Sequence, residues 1–233
     1  MSGYKTEQEQ LEDLKTWWRE NGQSTLVGIA LAIAAVVGWQ AWSNREMAQR
    51  DNAAGIFQNL VSADTAATEN PSPEMLATGK TLADSLKKDY ASTPYAQYAA
   101  LYKAKFAVEE NKLGDAEAEL RGLLEQKPGR ELTLIANLRL ARVLLTQARY
   151  DEALEITTKT ADTGSFAWQF ADLRGDILKL KNDNSGALAA YLEARDAAKK
   201  LKDAPERNPL LEMKIKALQA SIPAVDSSAT QTK

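Results

Sequence analysis

An uninterrupted apolar run near the N-terminus is the strongest pattern in the chain. No charged residue lies between Glu20 and Arg45, and the interval consists largely of leucine, isoleucine, valine, alanine and glycine. The stretch from Ser24 to Trp42 is about 19 residues long, or roughly 28 Å as a helix, which matches the hydrocarbon thickness of a bilayer. The pattern predicts a transmembrane helix over residues 22–43, preceded by an N-terminal segment over residues 1–21.

The flanks of this run favour a retained anchor. Trp17 and Trp18 precede it and Trp39 and Trp42 close it, as expected for indoles at the two headgroup layers. The alternatives are a buried core helix, which is usually shorter or more polar, and a cleavable signal peptide, whose short basic leader differs from the long acidic segment here. The basic flanking residues, three before and two after, leave the orientation open with a small excess for an N-terminus inside: Lys5, Lys15, Arg19, Arg45 and Arg50.

A stripe of small residues follows one face of the apolar run. Ala30, Ala34 and Gly38 are spaced four apart, which would allow the close approach of a partner helix. The alternative is that an alanine-rich segment produces this spacing by chance.

The rest of the chain has a helical pattern with repeats. Apolar residues recur at intervals of three and four, so the fold class is all-α, with a tetratricopeptide-like α-solenoid behind the membrane helix. Small residues at Ala116, Ala153 and Ala187 would allow the two helices of each hairpin to cross closely. We expect a domain over residues 44–222, with repeats near 97–130, 134–165 and 168–201, two helices before them within 52–90, a capping helix over 209–222 and a disordered tail over 223–233.

Composition and motifs exclude most chemistry. The 29 basic and 32 acidic residues give no surplus of positive charge for nucleic acid, and the lack of cysteine and histidine removes disulfides, imidazole bases and the usual zinc sites. Gly79-Lys80-Thr81 imitates the end of a phosphate-binding loop without its first glycine or a preceding strand. Asp115 and Asp151 are predicted to cap second helices. Nothing in the sequence indicates a catalytic residue, a cofactor, a metal site or a small-molecule substrate.

Aromatic side chains are the candidate contacts with partner proteins, because solenoids bind peptides and domains through exposed aromatic and polar residues. The candidates are Phe166, Trp168, Phe170, Tyr95 and Tyr98. Phe166, Trp168 and Phe170 lie near a predicted turn, so at least one of them should be exposed. The alternative role for the aromatic residues is core packing.

Several segments together resemble a known family, the bacterial YfgM proteins, which are ancillary subunits of the SecYEG translocon. The resemblance covers nearly the whole chain and departs from the family in a longer polar tail after Ile222. The segments that carry it are Trp17-Trp18-Arg19-Glu20-Asn21-Gly22, Gly38-Trp39-Gln40-Ala41-Trp42, Asn137-Leu138-Arg139-Leu140-Ala141-Arg142-Val143, Ala171-Asp172-Leu173-Arg174-Gly175-Asp176 and Met213-Lys214-Ile215.

The resemblance implies an inner-membrane protein with a cytoplasmic N-terminus and periplasmic repeats, which works beside the SecYEG translocon and the membrane-anchored chaperone PpiD. Our first hypothesis is therefore a non-catalytic scaffold at the translocon that also contacts emerging secreted chains. The alternatives are an envelope-stress regulator that sequesters a signalling component and a membrane-anchored enzyme.

Overall fold

A computed structural model describes residues 7–70, 72–160, 163–201 and 208–221 of the chain. These residues form α-helices joined by short turns, with one 3₁₀ turn at Gly164–Phe166 and no strand, which confirms the all-α prediction for the described part. The helices are α1 Glu7–Glu69, α2 Pro73–Asp89, α3 Pro94–Glu109, α4 Leu113–Glu125, α5 Arg130–Thr146, α6 Tyr150–Lys159, α7 Ala167–Leu180, α8 Asn184–Ala198 and α9 Pro209–Ser221. The predicted disordered tail over 223–233 lies outside the described residues.

The apolar run lies inside α1, the one described helix that is long and apolar enough to cross a membrane. Its large side chains are exposed, as Leu31 at 66% and Val36 at 64% show, so this segment is not a buried core helix. The sequence predicts separate helices over 22–43 and in the first part of 52–90, but α1 continues through both. No proline interrupts residues 7–69, and the alanine-rich, glutamine-rich flanks favour helix, so nothing in the local sequence ends it.

Three helix pairs, α3/α4, α5/α6 and α7/α8, have turns of the same geometry. The turns contain Asn111, Ala148 and Asn182, each in the left-handed backbone region, 37 and 34 residues apart. In each turn the residue after the left-handed one donates its N–H to a carbonyl five residues back, at Ala107, Leu144 and Leu178 respectively. This closure satisfies carbonyls that the end of the first helix would leave unpaired.

A buried alanine follows each left-handed residue by five positions. Ala116, Ala153 and Ala187 are fully buried where the second helix crosses its partner. One apolar cluster joins α3 to α7, and a second joins α7, α8 and α9 through Tyr191 and Ile215.

The two predicted aspartate caps are wrong in detail. Lys112 and Arg149 occupy the N-cap positions of α4 and α6, because the residue that follows the left-handed one enters the cap position. Asp115 and Asp151 lie within the first turn of α4 and α6, where a carboxylate interacts favourably with the positive end of the helix dipole.

Ala148 gives a test of the turn geometry. Its φ of 60° places an L side chain in a strained backbone region, so Ala148→Gly is expected to raise the free energy of unfolding by about 0.5–1 kcal/mol. Urea unfolding followed by circular dichroism measures the change. The control is Ala118→Gly on the exposed face of α4, which should lower the free energy by a similar amount; a loss at both positions would contradict the left-handed turn.

Candidate partner-binding surfaces

The aromatic residues predicted near the third repeat are less accessible than expected. Phe170 is 2% exposed and belongs to the core cluster, so its prediction as a contact residue is wrong. Phe166 and Trp168 are half-buried, and Phe166 packs against the same cluster. The 3₁₀ turn leads directly into α7, which keeps these side chains against the domain, so none of the three is fully exposed to solvent.

Tyr95 and Tyr98 lie on α3 in an aromatic cluster that the sequence did not reveal. Phe57, on the last part of α1, has its ring 5.4 Å from that of Tyr95, 5.7 Å from that of Tyr98 and 6.0 Å from that of Tyr102, between centroids. Tyr98 is 43% exposed and so remains a candidate contact. Burial and the neighbouring Asp64 carboxylate raise the pKa of Tyr102, which keeps its hydroxyl protonated.

A groove of about 320 Å³ lies between α3 and α5. Its floor is apolar because it is formed by Ala104, Leu120 and Val143, and these side chains are nearly inaccessible to solvent. Arg139 crosses from α5 to α3 by donating a 3.0 Å hydrogen bond to the carbonyl of Leu101. The other groove residues are Lys105, Val108, Glu109, Leu113, Arg142 and Thr146.

The C-terminal end of the domain is held by a clamp formed by α7, α8 and α9. The Lys214 ammonium on α9 lies 2.8 Å from the Asp172 carboxylate, 2.7 Å from that of Asp176 and 5.2 Å from the centre of the Tyr191 ring. Tyr191 donates its hydroxyl proton to Asp176 at 2.7 Å. Gly175 lies beneath this ring, where a Cβ would come within 2.4 Å of two ring carbons. The clamp thus unites two segments that carry the family resemblance, residues 171–176 and 213–215.

The clamp predicts a loss of stability at alkaline pH. Burial disfavours the Lys214 ammonium, but Asp172 and Asp176 outweigh it and raise its pKa, while burial and the Asp176 carboxylate raise the pKa of Tyr191. Both groups hold protons more tightly in the folded chain. Their stabilisation is therefore complete below the unfolded-state pKa values of about 10 and is lost as pH rises from there toward the folded-state values.

We therefore expect the midpoint urea concentration of unfolding to be lower at about pH 11 than at about pH 8. Lys214→Met should reduce this fall, whereas Lys216→Met, on the exposed side of the same helix, should leave it unchanged. An equal fall in all three proteins would contradict the clamp.

The remaining sequence signals have structural roles or stay predictions. Gly79 lies inside α2 and not in a loop; a Cβ there would come within 2.8 Å of the Phe106 ring, and Lys80 pairs with Glu110. No cluster of three or more potential metal-ligating side chains occurs in the described residues. Ala30, Ala34 and Gly38 are exposed along α1, and their role in helix packing stays a prediction.

The similarity to known proteins extends over nearly the full length of the chain. A tetratricopeptide repeat-like domain family matches residues 15–220. An ancillary SecYEG translocon subunit of Escherichia coli (strain K12) is 32% identical over 92% of this chain and 98% of its own length, and one of Haemophilus influenzae is 30% identical over 84% and 91%. One of Neisseria gonorrhoeae is 27% identical over 94% of this chain and its whole length.

No solved structure gives a significant match. The family match and the helix pairs together confirm the predicted fold class, a long apolar N-terminal helix followed by a tetratricopeptide-like solenoid. The chain belongs to the tetratricopeptide repeat-like domain family and, within it, to the YfgM family of ancillary SecYEG translocon subunits.

Proposed function

We propose that the chain is a non-catalytic, single-pass inner-membrane scaffold that associates with the SecYEG translocon. The observation that carries the proposal is the similarity to proteins named as ancillary translocon subunits, which together with the family match over residues 15–220 extends over the apolar helix as well as the helical domain. The exposed side chains of the apolar run support it, since they need a lipid or protein environment. The helical pairs supply the surface for protein contacts.

The proposal includes an orientation, with the N-terminus in the cytoplasm and the helical domain in the periplasm. Its support is the family resemblance and the small excess of basic residues before the apolar run. Because the chain contains no cysteine, single cysteines give an unambiguous label. In cells with a permeabilised outer membrane, an impermeant maleimide should label Lys216→Cys and should label Gln8→Cys only after the inner membrane is opened. The reverse pattern would refute the orientation.

The proposed partners are the translocon, a membrane-anchored periplasmic chaperone of the PpiD type and emerging secreted chains. Tyr98 and Trp168 are the candidate contacts in the helical domain, and Ala30, Ala34 and Gly38 those along the apolar helix. The ring of Tyr98 is partly exposed and packs against Phe57. A partly exposed aromatic side chain held in this way is typical of residues that dominate the binding energy of protein interfaces.

Quantitative co-purification from detergent tests the proposal. The intact chain should retain the translocon, and photo-crosslinkers at Ala34 and Trp168 should capture translocon or chaperone subunits. A matched crosslinker at Lys216, on the exposed side of α9, serves as the control. Failure of the intact chain to co-purify with any translocon subunit would refute the scaffold, and capture of a signalling protein alone would favour the stress-regulator alternative.

A further inference from the structure

The outer face of α9 carries an apolar stripe. The inner face of this helix packs against the domain through Leu211, Ile215 and Leu218. The stripe on the outer face has intervals of three and four residues and consists of the exposed Leu210, Met213, Ala217 and Ala220. Leu210 is 60% exposed and Met213 is 66% exposed. The last described helix of the solenoid therefore lacks the polar outer face that a terminal element needs in water.

The stripe is bulky in its first half and small in its second half. If a second α9 packs against it in the antiparallel direction, Leu210 faces Ala220 of the second copy and Met213 faces Ala217 of the second copy. Both pairs are centred on position 215, so one register satisfies them together. Each large side chain then meets a small one, which keeps the two helices evenly spaced. Parallel pairing would set the large side chains against each other and leave a gap between the alanines.

One flank of the stripe carries two opposite charges, Glu212 and Lys216, which are one turn apart. Among the described residues, the ion pairs of α9 involve Lys214, and none involves Glu212 or Lys216. An antiparallel pair with a two-fold axis brings the same flanks together, so Lys216 lies beside Glu212 of the second copy and the pair forms twice. Parallel pairing brings opposite flanks together, and Glu212 is the only carboxylate of α9, so it gives no such pair.

Other occupants fit this face less well. Residues 223–233, which follow α9 in the sequence, contain one large apolar side chain, Val225, and so have little to place on the stripe. A helix that binds a lipid surface has a polar face rich in lysine and arginine, whereas the charged flank of α9 is balanced. The face is complementary to itself in both size and charge.

We propose that α9 packs antiparallel against α9 of a second copy of the chain, which makes the protein a homodimer. A helix of 13 residues is roughly 20 Å long, so the contact is smaller than the roughly 1,200 Å² of a stable complex. Confinement of both copies to one membrane raises their effective concentration and favours the weak contact. The inference goes beyond the scaffold role proposed above and rests on it only for the membrane anchor.

Cysteine crosslinking of the full chain in membranes tests the register, because the chain has no cysteine of its own. Leu210→Cys and Ala220→Cys, co-expressed with different tags and treated with a short membrane-permeant bismaleimide, should give a crosslinked pair of the two forms. Leu210→Cys alone should give at least about fivefold less product, because its two copies lie roughly 15 Å apart along the helix axis. Equal product from Leu210→Cys alone would indicate parallel pairing, and no product from the mixture would indicate no contact; either result overturns the proposal.

The matched control replaces Ala220→Cys by Gln219→Cys. Gln219 is exposed and lies at nearly the same height on α9, but it is off the stripe. The mixture of Leu210→Cys with Gln219→Cys should give at least about fivefold less product, because neighbouring positions of a helix point in different directions. Equal product from both mixtures would show random collision in the membrane and overturn the proposal.

Charge reversal tests the flank. Glu212→Lys should lower the yield of the crosslink between positions 210 and 220 at least about threefold, because it turns two attractive pairs into repulsive ones. Adding Lys216→Glu restores opposite charges in the same register and should restore the yield. Glu125→Lys, an equal reversal at an exposed position of α4, is the matched control and should leave the yield unchanged. A loss that Lys216→Glu does not restore would overturn the antiparallel register.

Other occupants give distinct results. If Leu210→Cys crosslinks only to a different protein, or becomes accessible to maleimide only when residues 223–233 are removed, that protein or that segment covers the face and the proposal is overturned. The photo-crosslinker at Lys216 that serves as a control above should capture a second copy of the chain and no translocon subunit. Failure of the intact chain to co-purify with the translocon therefore refutes the scaffold role, while the crosslinked pair still tests the dimer.

Discussion

Gly175→Ala is expected to destabilise the C-terminal end of the domain, although alanine normally strengthens a helix. The new Cβ would lie 2.4 Å from two carbons of the Tyr191 ring. This ring is 1% exposed and is held by its hydrogen bond to Asp176 and by Lys214 above it, so it has no space to move into. The overpacking costs about 1–3 kcal/mol, against a gain in helix propensity of about 1 kcal/mol, and the 2.4 Å approach favours the upper end of this cost, so the expected net loss is up to about 2 kcal/mol. Gly175→Leu should cost about 3 kcal/mol or more.

Urea unfolding of the full chain, followed by circular dichroism, measures this loss. The matched control is Gly122→Ala, in the interior of α4, where a Cβ meets nothing within 4 Å. That substitution should raise stability by about 0.5–1 kcal/mol. Replacing Tyr191 by leucine in the Gly175→Ala background should recover part of the loss. If Gly175→Ala stabilises the chain as Gly122→Ala does, the close contact with Tyr191 is wrong.

The repetition of the helix pairs could be predicted because each pair needs the same small residue. Ala116, Ala153 and Ala187 recur where two helices cross, and their spacing equals that of the left-handed turn residues. The recurring alanines and their spacing therefore predict the repeated helix pairs. The all-α class follows from the same local signals, since they do not depend on distant contacts.

The contacts between helices could not be predicted, because they join residues far apart in the chain. Lys214 meets Asp172 across α9 and α7, and Phe57 meets three tyrosines of α3. Neither pairing has a signal in sequence spacing. The position of Phe170 shows the same limit, because aromatic character near a turn predicts burial and exposure equally well until the direction of the next helix is known.

The charged side chains along the α3/α5 groove come together only when the helices pack, so the sequence alone did not indicate them. Arg139 and Arg142 lie in the segment 137–143 that carries the resemblance, where the sequence gives them no role. The fold places them beside the apolar floor from α4 and beside Lys105, which is already paired. The excess of basic over acidic side chains along the groove, with Lys105, Arg139 and Arg142 against Glu109, is thus a property of three helices together.

Two aspartates within the apolar helix should remove the chain from the membrane. Leu31 and Ile33 lie in the middle of the uncharged interval, and both side chains are exposed, so replacing them does not disturb a protein core. An aspartate near the centre of a spanning helix costs about 2.5–3.5 kcal/mol, so Leu31→Asp with Ile33→Asp costs about 5–7 kcal/mol. The expected result is a large fall in the carbonate-resistant membrane fraction and, with it, in translocon co-purification.

Met47→Asp is the matched control. Met47 lies on the same helix α1 and is equally exposed at 62%, but it follows Arg45, beyond the predicted span over 22–43. A carboxylate at this position faces water or headgroups and should leave the membrane fraction unchanged. Because α1 is continuous through both sites, a change in helix stability would affect both variants, whereas a membrane boundary affects only the first. Equal extraction of the two proteins would place the span elsewhere, and full retention of the double aspartate variant would show that α1 does not cross the bilayer at this segment.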